Sequence, residues 1–114
     1  MVIEEEIDMA KFMIKASYTA EGTRGLMKEG GTGRRAAVQK AVEGAGGKLE
    51  SFYFAYGEHD AYVICDLPDA ASAIAISLAV NASGAVRSST TPLITPEEID
   101  AATKKSAGYR APGA

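Results

Sequence analysis

The single histidine and the single cysteine of the chain, His59 and Cys65, stand six positions apart in AYGEHDAYVICDL, with Glu58 and Asp60 on either side of the imidazole. A histidine titrates near neutrality and can move a proton, so His59 is the candidate catalytic base at the mouth of a pocket. The same four residues, GEHD, also make a complete turn: Gly57 can take a positive φ, and Asp60 can bond neighbouring backbone amides. Alternation along a strand separates His59 from Asp60 and puts Asp60 on the side of Tyr62 and Ile64. Transition-metal centres gather several His, Cys or carboxylate ligands. With one histidine and one cysteine per chain, no metal and no cofactor is expected, and Cys65 reads as a small buried apolar residue.

The second candidate is an anion grip in EGGTGRRAAV. Glycines ahead of a helix start can present bare amides, and Arg34 and Arg35 would add charge. The pattern lacks the spacing and the lysine of a phosphate-binding loop, and a helix capped by Thr32 with solvated arginines explains it better. Arg24, just behind Tyr18 at the end of the first strand, is a further candidate for holding an anionic ligand, or else a surface partner of Glu21 or Glu29. Tyr18 and Asp60 complete the set of candidate ligand-binding residues. No serine–histidine–acid triad or dinucleotide fingerprint is present.

The elements that must position these groups follow from periodicity. KFMIKASYT, residues 11–19, alternates with Phe12, Ile14, Ala16 and Tyr18 on one side, as a strand with one apolar face does. Residues 34–43 place Ala37, Val38, Ala41 and Val42 at helical spacing, ended by Gly44, Gly46 and Gly47. The stretch before them, interrupted by Gly22 and Gly25, reads as a short turn or helix. KLESFYFAY (48–56) and AYVICDL (61–67) form a hairpin around Gly57–Asp60. Pro68 and Asp69 open an alanine-rich helix with Ile74 and Leu78 four apart on one face. GAVRSSTTPLI is a polar edge or interface strand. Thr95, Pro96, Glu97 and Glu98 start a last helix running to about Ser106.

The order strand, helix, strand, strand, helix, strand is that of a ferredoxin-like βαββαβ antiparallel sheet, an α+β fold with both helices on one face and a C-terminal helix added. Phe52, Tyr53, Phe54 and Tyr56 place aromatic rings on both faces of the second strand. Something apolar must then cover the far face. Either a second copy does so, giving a dimeric α+β barrel or higher oligomer, or the C-terminal segment folds back over it.

Composition bounds the rest. At 114 residues and a net charge of −3, the chain is one ordinary globular domain over residues 10–106, between an acidic arm at 1–9 and a tail at 107–114. The absence of a basic block argues against a nucleic-acid partner. No apolar run approaches a membrane span, and MVIEEEIDMAK lacks the order of a signal peptide, so no membrane partner and a cytoplasmic location are expected. One cysteine asks for no oxidising compartment.

GKLESFYFAYGEHDAYVICDLPDAASA, with the upstream YTAEGTRGL and the downstream GAVRSSTTPLITPEEID, resembles the GYD-domain family over roughly residues 13–98. The glycine and aspartate of its hairpin match Gly57 and Asp60; His59 stands where the family has tyrosine. The resemblance implies a ferredoxin-like fold and an oligomer, and no particular activity. The leading functional expectation is an oligomeric small-molecule-binding or regulatory protein taking a small anionic ligand. The alternatives are a cofactor-independent isomerase or oxygenase of the dimeric α+β barrel type, with His59 as base and Arg24 as anion clamp, and a purely structural assembly partner. A pocket holding His59 or Arg24 would favour the enzyme, and an interface without a cavity the structural role.

Overall fold

The computed structural model describes residues 8–114, so the acidic arm expected over 1–9 falls almost wholly outside the described residues. Four strands, β1 (Ala10–Tyr18), β2 (Lys48–Phe54), β3 (Ala61–Leu67) and β4 (Val86–Leu93), form one antiparallel sheet in the order β2-β3-β1-β4. Helix α1 (Ala20–Gly44) joins β1 to β2, α2 (Ala70–Ala82) joins β3 to β4, and α3 (Pro96–Thr103) follows β4. This is the expected βαββαβ arrangement with a third helix.

The two central strands alternate strictly. Phe12, Ile14 and Ala16 of β1 are buried, and across the register from them lie buried Cys65, Val63 and Ala61 of β3. Val42 from α1 and Ala73 from α2 close this core, with Leu49, Phe52 and Ile76 packed at its margin. Lys11, Met13, Lys15 and Ser17 stand on the other face, beside Asp66, Ile64 and Tyr62. Lys11 bridges Glu50 and Asp66 there at 2.9 and 3.0 Å.

Three expectations are corrected. Helix α1 begins at Ala20 rather than near Arg34, and its cap is Thr19, whose hydroxyl accepts from the Gly22 amide, rather than Thr32. Gly22 and Gly25 do not break it; the break comes at Gly30, whose φ of 81° and ψ of 167° kink the helix between its two segments. In α2 the inward residues are Ala73 and Ile76, whereas Ile74 and Leu78 are 58% and 67% exposed, because the helix is apolar all round and its orientation is set by the small residue that fits closest to the sheet. The hairpin glycine Gly57 does not take a positive φ; Gly46 and Gly84 do.

Gly46 ends α1 in a Schellman motif: its amide donates to Glu43 and the Gly47 amide to Val42, each at 2.9 Å. At the other end of the molecule Thr19 ties the start of α1 to the turn before β4. Its amide donates to the Ala85 carbonyl at 3.0 Å and its hydroxyl to the Gly84 carbonyl at 2.9 Å. Gly22 lies against that same Ala85 carbonyl, so closely that a methyl group would overlap it. The last helix is capped as expected, with Thr95 and Glu98 in a reciprocal capping box. It makes no substantial contact with the sheet or the other helices and is exposed throughout, so this helix does not cover the second face.

The close approach at Ala85 predicts opposite outcomes for two alanine substitutions. Gly22→Ala should cost about 1–3 kcal/mol, since the obstacle is backbone. Gly57→Ala, with open space around it, should stay within about 0.5 kcal/mol of the parent. Urea unfolding midpoints of the two variants check this.

Candidate functional site

The helices α1 and α2 both lie on the buried face of the sheet but stand apart, and the gap between them is a cavity of about 340 Å³. Strand residues Ile14, Phe52 and Val63 form its floor, and Val38, Val42, Ile76 and Val80 its walls. Alanines at 41 and 79 on the facing helices keep it open where larger side chains would fill it. Arg34 is the one charged residue on its lining, and the other polar side chains there are Tyr18, Ser83 and Ser88.

Tyr18, the last residue of β1, is where neighbouring hollows meet. It also lines an opening of about 380 Å³ with Leu26, Gly31, Phe54 and Asp60. Gly31 matters here, since a Cβ would stand only 3.1 Å from the Phe54 ring. Burial raises the Tyr18 phenol above its usual range, with Arg34 opposing and Asp60 and Glu29 adding to the rise. Its hydroxyl therefore stays protonated as a donor across the neutral range. Arg34 meets Glu29 at 3.4 Å. The two are five residues apart, and only the kink at Gly30 lets them face each other.

Asp60 has a structural task. One carboxylate oxygen accepts the Tyr18 amide at 2.8 Å, its own amide donates to the Ala16 carbonyl at 2.8 Å, and its carbonyl accepts from the Ala55 amide at 2.8 Å. The hairpin end is thereby fastened to the end of β1. Alternation starts only at Ala61, so Asp60 turns toward Tyr18 and Phe54, away from the face of Tyr62 and Ile64 expected for it. His59 takes that open face instead, its ring edge-on to Tyr62 with centroids 5.8 Å apart and its Nδ1 3.4 Å from the Ser17 hydroxyl.

The sequence candidates thus divide into separate places. Tyr18 and Arg34 meet at the cavity, with Asp60 beside Tyr18. Arg35 lines shallow hollows along the outer edge of β2 with Phe52. Arg24 is exposed on α1 and lines none of these hollows; it pairs with neither Glu21 nor Glu29 among the described residues. His59 and Arg24 are not brought together, and neither reaches the cavity. Cys65 is buried in the core, and burial pushes its thiol up. Among the described residues no group of three or more His, Cys, Asp or Glu side chains could hold a metal ion. The pairing of Glu29 with Arg34 escaped the sequence reading because five-residue spacing in an unbroken helix puts two side chains on different faces.

The fastening role of Asp60 gives a stability prediction. Asp60→Ala leaves the half-buried Tyr18 amide without its partner and should cost about 1–3 kcal/mol, with Asp60→Asn recovering part of it. His59→Gln, on the open face, should stay within about 0.5 kcal/mol in the same denaturant titration.

No curated protein and no solved structure matches the chain. The family model described as the GYD domain matches residues 12–103, which take in most of β1, the other three strands, both cavity helices and the Gly57–Asp60 turn. The chain belongs to the GYD domain family.

Proposed function

We propose that the protein is a homo-oligomeric small-molecule-binding protein of the cytoplasm, its ligand held between the sheet and the helices α1 and α2. The observation that carries this reading is the cavity beneath Arg34 and Tyr18: an apolar chamber with few polar groups, of the size at which small-molecule sites begin. The gap leaves apolar side chains of the sheet and both helices in reach of a ligand, whose binding would take that surface out of water. The cavity holds neither His59 nor Arg24, so the groups assigned to an isomerase or oxygenase do not favour that reading.

The oligomer reading rests on the open face. Tyr53 is 71% exposed there, in the neighbourhood of half-buried Tyr62, Ile64 and Met13, and among the described residues no helix packs over them. Burying one such side chain is worth about 1.5–3 kcal/mol. A two-fold contact gathers that gain in both copies.

Two measurements check the proposal. Light scattering at micromolar concentration should report at least a dimer, and Ile64→Glu should shift it to the monomer with the fold intact. A parent that stays monomeric would remove the oligomer. In thermal-shift titrations with medium-chain alcohols, the parent should gain up to about 2.7 kcal/mol at a hundredfold excess over Kd. Ala79→Phe, which fills the chamber, should abolish that gain; an equal gain in the variant would place the binding elsewhere.

A further inference from the structure

The cavity combines a long apolar body with a single under-used cation. Arg34 is about one-third exposed, and its guanidinium meets one carboxylate, Glu29, at 3.4 Å. A charge-assisted hydrogen bond is shorter, about 2.7–2.9 Å, and the arginine fork is built to hold a carboxylate through two of them. The present contact therefore leaves most of the fork unengaged. Glu29 is itself 40% exposed and sits on the far side of the Gly30 kink, so leaving Arg34 returns it to water without unpacking the core. Tyr18 is on the lining of the same chamber as Arg34, and its phenol is the nearest hydrogen-bonding aromatic group that a ligand there could use.

We infer that the ligand is a monocarboxylate with a short apolar body, whose carboxylate takes the place of Glu29 on Arg34 and accepts a hydrogen bond from Tyr18. The inference rests on the reading of the cavity as a binding site and adds the chemical class of what enters it. A single negative charge follows from the charges present. Among the described residues Arg34 is the one charged group on the lining, so it balances one negative charge, and the second charge of a dianion would enter an apolar chamber with no cation to offset it. The volume gives a scale for the apolar body. At roughly 30 Å³ for each water-sized group, 340 Å³ holds about a dozen non-hydrogen atoms. An eight-carbon chain with its carboxylate fits that space.

Isothermal titration of the full chain with octanoate, octan-1-ol and octyl phosphate at one pH and ionic strength tests the class. Octanoate should bind ten- to a hundredfold tighter than octan-1-ol, the range for one charge-assisted hydrogen-bonding group. Octyl phosphate should be weaker than octanoate. Arg34→Gln should erase the preference for octanoate while leaving octan-1-ol unchanged, and Tyr18→Phe should reduce it in part. Glu29→Gln should tighten octanoate severalfold, because it removes the competing carboxylate. Equal affinity for octanoate and octan-1-ol in the parent would overturn the head-group assignment and leave the cavity reading standing. Tighter binding of octyl phosphate would overturn the monoanion, and an unchanged affinity in Glu29→Gln would overturn the exchange. Failure of all three probes to bind would overturn the cavity reading, and this inference with it.

Discussion

The two-residue alternation of β1 and β3 is the constraint on which the molecule depends. These strands are the inner pair of the sheet, and every second residue of each is buried against the helices. A one-residue slip would exchange Phe12, Ile14 and Ala16 for Lys11, Met13 and Lys15, placing two ammonium groups in the core. The register is thereby fixed, and with it the two faces. One carries the apolar floor of the cavity; the other carries the Lys11 bridges, His59 and the tyrosines.

Local devices then fasten the ends of this frame. Asp60 and Thr19 converge on the end of β1 from opposite directions, the first bonding the Tyr18 amide and the second the turn at Gly84 and Ala85. Tyr18 is thus held by its backbone on both sides while its ring stands at the junction of two hollows. This gives the paired glycine and aspartate of the hairpin different weights. The aspartate makes the long-range bond, whereas Gly57 sits in open space with an ordinary φ. The histidine between them lies on the open face, its ring edge-on to Tyr62.

Helix α1 shows how one residue shapes a site. The first segment carries Glu29 and the second Arg34, and the kink at Gly30 turns them toward each other. The same separation of tasks appears in α2, which buries its small Ala73 and leaves Ile74 and Leu78 outward. Close approach to a flat sheet favours the small side chain, and a helix apolar on all sides has no polar face to oppose that choice.

The sequence by itself determined the strands, the hairpin of β2 and β3 and the face of β1 that enters the core, because period-two alternation and a short turn are local properties of the chain. It also determined the caps at Asp69 and Thr95, which need only neighbours three residues away. The start and kink of α1 were less legible, since glycine at 22 marks a contact with Ala85, more than sixty residues distant, and glycine at 30 a bend with no local signature. Tertiary structure alone decided that His59 and Arg24 stand apart, that Arg34 and Arg35 point to different hollows, and that Arg34 faces a chamber. Those placements depend on how far two helices stand apart on the sheet, a distance set by the summed packing of residues from every element and written in no single stretch of the chain.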